Sequence, residues 1–180
     1  MKLIGTRVIM RPLEHQDLDR SRTWVNDPEI APLLLRVLPV SEIEQEHWFE
    51  NICTLPDRYV WAVETDGQHI GNVGLYHVDL IHRRAEAWTL LGEPTQRGQG
   101  LGHEAMKLLL DYGFDGLGLN KVYLHVDEEN IIAQKMYKKL GFIEEGKLQE
   151  EYFIQGRFRT ILRMRVLVSE WPTFKKGNLT

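Results

Sequence analysis

The segment Arg97-Gly98-Gln99-Gly100-Leu101-Gly102 is where this sequence most plainly offers a place for a ligand. It lies between a strand-like run ending at Leu91 and a helix-like run that starts near Gly100. Glycines lack a Cβ, so their amides can approach a ligand closely, and the first-turn amides of a helix have no partners inside it. Such a bend is an anion site, and a pyrophosphate is the expected guest. Two familiar phosphate readers fail on spacing. A dinucleotide fingerprint needs glycine where His103 stands, and a P-loop needs a Lys-Ser/Thr pair that is absent. A glycine-rich connection that holds nothing is the competing reading of the segment alone.

Other residues have a chemical and a plain reading. Glu86 opens the run Arg84-Ala85-Glu86-Ala87-Trp88, and alternation puts Glu86 and Trp88 on one face. By residue type alone it is a solvated strand end paired with Arg83 or Arg84. Tyr137 shares a helical stripe with Met136 and Leu140, which suits a core tyrosine. Asn130 stands where an ordinary N-cap belongs. Lys135, Lys138 and Lys139 are placed to reach nucleotide phosphates, but read more simply as the wet side of a helix. Glu144, Glu145, Glu150 and Glu151, with Asp127, Glu128 and Glu129, would suit a polyamine if they lined one cleft; scattered solubilising charge is the simpler account. His77, His82, His103 and His125 lack zinc-site spacing and no Cys-x-x-Cys or His-Glu-x-x-His occurs, so no metal is expected.

The elements that must hold these residues follow from the pattern. Arg7–Pro12 reads as an opening strand, Glu14–Val25 as a helix broken at Asn26-Asp27-Pro28, and Ser41 as the N-cap of a helix over Glu42–Asn51. Tyr59–Glu64, Ile70–Val78 and Arg84–Leu91 read as strands, with Thr65-Asp66-Gly67 a hairpin turn between the first two. A helix over Gly100–Phe114, a strand over Lys121–Val126 and a helix over Ile131–Leu140 come next, then two closing strands near Phe142–Tyr152 and Arg157–Val168. The strand–helix–strand order over Arg84–Val126 predicts a parallel pair in the middle of the sheet. The fold class is α+β, with mixed strand directions.

Composition sets the outer bounds. With 180 residues the chain fits a single domain over 1–180, and 43% hydrophobic with 27% charged residues is ordinary for a globular protein. A net charge of −4 gives no reason to expect nucleic acid. Cys53 is the only cysteine, so no intrachain disulfide forms, and neither a signal peptide nor a membrane anchor is read. A cytoplasmic location is expected. The C-terminal strands, with Trp171 and Phe174 beyond them, suggest an edge on which two subunits pair as a homodimer.

Two segments carry a resemblance to a known family. Arg97–Gly102 resembles the acetyl-CoA loop, Gln/Arg-x-x-Gly-x-Gly/Ala, of the GNAT N-acetyltransferases, and Glu104-Ala105 after it is typical of their helix. Asn130–Phe142 resembles the same family's Asn-x-x-Ala-x-x-x-Tyr-x-x-x-Gly-Phe segment, in the same order along the chain. The likeness runs from about Tyr59 to Val168 and is closest to bacterial spermidine N-acetyltransferases and the RimJ/RimL-like branch. It implies a central twisted mixed sheet of about seven strands, flanked by about four helices, whose parallel fourth and fifth strands splay apart.

The resemblance also implies roles. Acetyl-CoA is the co-substrate, its pantetheine arm bonding to the backbone of Leu90 and Leu91, its diphosphate held by Arg97, Gly98, Gln99, Gly100, Leu101 and Gly102, with Asn130 a further contact. Tyr137 matches the tyrosine beside the thioester sulfur, a general acid for the departing thiolate, and Glu86 matches a glutamate that meets the amine and serves as base. The reaction implied is direct acetyl transfer to a primary amine, with a backbone amide of the fourth strand steadying the oxyanion. The expected acceptor is a polyamine such as spermidine. Leu33–Pro39 departs from that branch, with Arg36 among leucines where its members are acidic. An amino sugar, an antibiotic amine, a protein N-terminus or lysine therefore stays open, as does a non-catalytic acyl-CoA-binding sensor.

Overall fold

Asp66-Gly67 is the loop that starts the sheet's central meander. In the computed structural model, which describes residues 1–171, these two residues have φ of 50° and 74° and join Tyr59–Thr65 (β3) to Gln68–Asp79 (β4). Two left-handed residues give the twist a two-residue hairpin needs. Before them run Leu3–Ile4 (β1), Ile9–Pro12 (β2), Leu18–Val25 (α1) and Glu42–Thr54 (α2). After them run Arg84–Leu91 (β5), Leu101–Asp111 (α3), Lys121–Asp127 (β6), Ile131–Lys139 (α4), Ile143–Ile154 (β7) and Arg157–Leu167 (β8). Eight strands form one mixed sheet in the order β1-β2-β3-β4-β5-β6-β8-β7, the two-residue β1 adding to the strands expected from the pattern.

Local chemistry accounts for most boundaries. Ser41 Oγ accepts the Glu44 amide at 3.2 Å while Glu44 Oε2 accepts the Ser41 amide at 2.8 Å, a reciprocal cap that starts α2. The helix expected from Glu14 is α-helical only from Leu18, because His15–Asp17 forms a tighter 3-10 turn in which Asp17 Oδ2 accepts the Glu14 amide at 2.9 Å. The helix expected to reach Phe114 ends at Asp111 and widens into a π turn over Tyr112–Gly116.

Buried clusters cover both faces of the sheet. Ala85 and Ala87 of β5 and Val122, Leu124 and Val126 of β6 bury against Leu101, Ala105 and Leu109 of α3 and Tyr137 of α4. The opposite face of β5 carries Trp88 and Leu90, which pack with Trp24 of α1 and Ile30. Trp171, expected at a subunit edge, is instead buried in the first core, its Nε1 donating to Asp111 Oδ1 at 2.8 Å; Phe174 lies outside the described residues. No helix among the described residues is long and apolar enough to cross a membrane.

A buried polar chain ties α1 to the sheet. Arg11 donates to both oxygens of Asp17 at 2.7 and 2.9 Å, and His69 Nδ1 lies 3.4 Å from Asp17 Oδ1. His69 Nε2 faces the Gly71 carbonyl at 3.0 Å and Asn72 Oδ1 at 2.8 Å, and Asn72 Nδ2 donates to Ser21 Oγ at 2.8 Å. Two acceptors on Nε2 assign the proton to that nitrogen. Burial lowers the proton affinity of His69 below its ordinary 6.5; Asn72 and Asp17 pull the other way, but Arg11 already matches the Asp17 charge. The folded state therefore disfavours a proton that the unfolded chain accepts near pH 6.5, so this contribution to stability is present above that pH and lost as pH falls. The urea midpoint is expected to drop between pH 7.5 and 5.5, and His69→Gln to reduce that drop. His103, lowered by burial and by Lys107 and Lys139, contributes in the same direction and leaves a residual slope in the variant. An identical slope in His69→Gln would remove His69 as a source.

Candidate active site

The parallel pair β5 and β6 is bonded for only part of its length. Arg84, Ala85 and Glu86 pair with Lys121, Val122 and Tyr123, and there the shared ladder stops. Beyond it β5 stays paired to β4 as far as Leu91, and β6 stays paired to β8 as far as Asp127. Each strand is held on its outer side while the inner edges, Ala87–Leu91 and Leu124–Asp127, part company. Backbone groups along such a slot need partners. Thr89 Oγ1, on the open stretch of β5, is buried with no hydrogen-bond partner among the described residues. An extended chain carrying amides fits that deficit.

The glycine-rich bend lies at the Leu91 end of the slot. Gly98 and Gly100 have φ of 75° and 80°, a region that strains any residue with a Cβ, and Gly100 is the N-cap of α3. The Leu101, Gly102 and His103 amides form the first turn of α3, where no acceptor exists inside the helix. A methyl group placed on Gly102 would lie 3.1 Å from Leu91 Cδ1 and 3.5 Å from Met136 Sδ, so the bend, the end of β5 and α4 converge. Leu101 is itself a core residue, so only its backbone faces a ligand. The Arg97 guanidinium turns back to the Leu91 and Gly92 carbonyls at 3.3 and 3.1 Å and braces the loop, and Gln99 Nε2 donates to the Thr95 carbonyl at 2.8 Å.

Arg7 and Glu104 fasten the bend to β2. Arg7 donates through its amide and Nε to Glu104 at 2.7 and 3.1 Å, and through Nη1 to the Gln99 carbonyl at 2.8 Å. Burial works against ionisation of Glu104, yet amides of Arg7, Val8 and Thr6 and the Arg7 side chain hold its carboxyl below the usual range. No local pattern marks Arg7, whose partner Glu104 lies across the fold.

Tyr137 and Glu86 lie on opposite faces of the sheet, Tyr137 in the core with Ala85 and Ala87 and Glu86 on the alternate face of β5. Tyr137, on α4, is 7% exposed and packs its ring against Phe142 at 5.8 Å. Its hydroxyl has no hydrogen-bond partner among the described residues, and burial pushes its pKa up to about 12. Asn130, at the start of the same helix, accepts the Ala133 amide at 3.1 Å as an N-cap.

Glu86 is not paired with either neighbouring arginine. Arg84 Nε lies 3.8 Å from Asp79, and Arg83 Nε donates to the Gly118 carbonyl at 2.6 Å. The Glu86 carboxylate instead meets His125 Nδ1 at 2.7 Å and lies 3.8 Å from His77 Nε2. His125 carries no metal-site spacing that would mark it in the sequence; strand alternation, which sets Tyr123 and His125 on one face, is its only local signal. On the Glu86 face Tyr76 is its register partner, and the Tyr76 and Trp88 rings lie 5.4 Å apart with Trp48 Nε1 donating to the Tyr76 hydroxyl at 2.8 Å.

Four of the seven residues of the acidic stretch are tied up in ion pairs. Glu145 pairs with Lys121 and Arg163, Glu128 with Lys147, Glu129 with Arg157 and Arg159, and Asp127 with Arg159.

The sequence profile of the acetyltransferase (GNAT) domain matches residues 7–143. Spermidine N(1)-acetyltransferase of Escherichia coli K12 is 34% identical over 178 residues, covering 91% of this chain and 88% of that protein. The Vibrio cholerae protein of the same name is 42% identical over 169 residues, covering 93% and 97%. A crystal structure of spermidine N-acetyltransferase from Vibrio cholerae in complex with CoA and spermine superposes with a TM-score of 0.87, covering 93% of this chain and 99% of that one, at 32% identity in the structural alignment.

Proposed function

As the chain belongs to the GNAT acetyltransferase family and is an acetyl-CoA-dependent N-acetyltransferase, we propose that its acceptor is a primary amine of a polyamine such as spermidine, acetylated by direct attack with both substrates bound. One observation carries the reading: at the mouth of the slot a carboxylate, Glu86, stands beside the rings of Tyr76 and Trp88. An alkyl ammonium is attracted by the carboxylate and by aromatic faces, while its methylenes pack on the rings. Two relatives matched over nearly their whole length, and a neighbour holding CoA and spermine, support it.

In this reading the chain supplies grip, charge and proton transfers. The free edge of β5 at Thr89, Leu90 and Leu91 bonds the pantetheine amides, and the bend from Arg97 to Gly102 takes the diphosphate through backbone amides. Near neutral pH the acceptor arrives as an ammonium, whose ordinary pKa is about 10. Glu86 removes one proton, the N–H bonding pair becomes the lone pair, and the nitrogen attacks the thioester carbonyl carbon. A backbone amide of β5 donates to the oxyanion. As the C–N bond forms and the C–S bond breaks, Tyr137 gives its proton to the sulfur and regains one from the new amide nitrogen. One proton is released per turnover. No acetyl-enzyme is required.

A second acceptor class is favoured by one observation. The Arg58 guanidinium lies 5.4 Å from the Tyr76 ring centre, on the face where the amine must bind. A cation there suits an amine that also carries a carboxylate or phosphate. Release of free CoA thiol, measured against polyamines, amino sugars and their phosphates, aminoglycosides and peptides, separates the two. Polyamines are expected to react fastest; rapid turnover of a phosphorylated amino sugar with inert polyamines would overturn the assignment.

A further inference from the structure

We infer that Arg7 is a positioning residue for the cofactor: by holding the Gln99 carbonyl on the β2 side of the bend, it turns the Gly100 amide toward the diphosphate of acetyl-CoA. The inference rests on the diphosphate reading of the bend given above and adds to it a residue from outside the bend. Its starting point is a freedom of the backbone. Gly100 has φ of 80° and no Cβ, so the peptide plane between Gln99 and Gly100 can rotate at little cost. That plane is trans, which sets its carbonyl and its amide in opposite directions. Whatever fixes the carbonyl therefore aims the amide, and Arg7 Nη1 donates to that carbonyl at 2.8 Å. Nη2 of the same guanidinium lies 3.4 Å from where a methyl group on Gly100 would stand, so the side chain spans both residues of the plane.

Arg7 can act as a clamp because its own backbone is anchored. The Thr65 hydroxyl of β3 donates to the Arg7 carbonyl at 2.8 Å, and the Gly5 amide donates to the Val8 carbonyl at 2.9 Å to close the turn between β1 and β2. Into that turn α3 inserts the Glu104 carboxylate. Oε1 accepts the Arg7 and Val8 amides at 2.7 and 3.3 Å, and Oε2 accepts Arg7 Nε at 3.1 Å. A methyl group on Gly5 would stand 2.6 Å from Glu104 Oε1, so the glycine leaves the carboxylate its seat. With Nε on Glu104 and Nη1 on Gln99, the planar guanidinium is fixed at two points. The Arg7 side chain is 51% exposed, so its removal leaves the core intact.

Two pictures of this pair predict opposite signs. If Arg7 and Glu104 acted only as charges near the diphosphate, removing the carboxylate would tighten cofactor binding. As a clamp, the guanidinium depends on Glu104 for one of its two fixed points, so Glu104→Gln weakens binding although it removes a negative charge.

The test uses the full chain with Arg7→Ala, Arg7→Lys and Glu104→Gln, calorimetric CoA affinity, and three acetyl donors. These are acetyl-CoA, acetyl-dephospho-CoA, which keeps the diphosphate but lacks the 3′-phosphate, and S-acetylpantetheine, which has neither. Kinetics are run with whichever amine the wild type acetylates. In all three variants kcat/KM for acetyl-CoA and for acetyl-dephospho-CoA should fall together by about tenfold, the order of one hydrogen bond to a charged group. Turnover of S-acetylpantetheine and KM for the amine should stay within about twofold of the wild type, which a general loss of structure would not allow. Lysine keeps the charge but not the fork that holds both partners, so Arg7→Lys should rescue little. Wild-type kcat/KM in Arg7→Ala or Arg7→Lys, a loss shared by S-acetylpantetheine, a loss confined to acetyl-CoA, or tighter CoA binding in Glu104→Gln overturns the inference alone. A wild type that uses S-acetylpantetheine as readily as acetyl-dephospho-CoA removes the diphosphate reading of the bend, and the inference with it.

Discussion

Replacing Tyr137 with Phe is expected to lower kcat by about 10²–10⁴-fold while leaving CoA affinity unchanged. The fold should tolerate the change, because the phenol oxygen has no hydrogen-bond partner among the described residues and the ring packing with Phe142 is kept. What is lost is the proton donor. Burial pushes the Tyr137 pKa up to about 12, so the group stays protonated across the working range. An ordinary thiol, with a pKa of about 8.5, is the stronger acid, and in water the transfer from phenol to thiolate would run uphill. In the slot the leaving sulfur loses its hydration as well, which raises its basicity and brings the two closer. The expected loss amounts to about 2.7–5.5 kcal/mol of transition-state stabilisation. Stopped-flow or steady-state thiol release with isothermal titration of CoA separates the two quantities. Unchanged turnover would take Tyr137 out of the mechanism.

Glu86→Gln should cost about 10²-fold in kcat/KM near neutral pH, and the deficit should shrink as the pH approaches the amine's own pKa of about 10. Glutamine keeps the volume and an oxygen acceptor for His125, so the change isolates the charge. At low pH nearly every acceptor is an ammonium and proton removal limits the rate. At high pH the free amine is already present and the base matters less. A variant whose pH profile parallels that of the wild type would reassign the base to water or another residue.

Much of this site could be read along the chain because its parts are local. The bend from Arg97 to Gly102 and the Asn130 cap are set by residues within a few positions of one another, and the Asp66-Gly67 turn carries its φ requirement in its own residue types. Register between distant strands was less legible. His125 meets Glu86 only because Glu86 and Tyr123 end the β5–β6 ladder, a stopping point no residue type announces. Arg84 and Arg83 were the natural partners of Glu86 by proximity, yet Asp79 and the Gly118 carbonyl hold them. The placement of β8 between β6 and β7 was equally silent, since a closing hairpin can add to a sheet by either arm. Trp171 shows the same lesson at the surface: an aromatic residue past the last strand looks like a contact for a partner, and the Asp111 carboxylate and the helix core claim it.

In the proposed function the two sides of the sheet divide the work: the residues assigned to donor grip and acid stand with α3 and α4, while Glu86, Trp88, Tyr76 and Arg58 stand across the partition. Residues that select the nucleophile can then drift, one exchange at a time, while the thioester's cradle keeps its shape. A fold arranged in this way can be re-aimed at new amines without first being rebuilt.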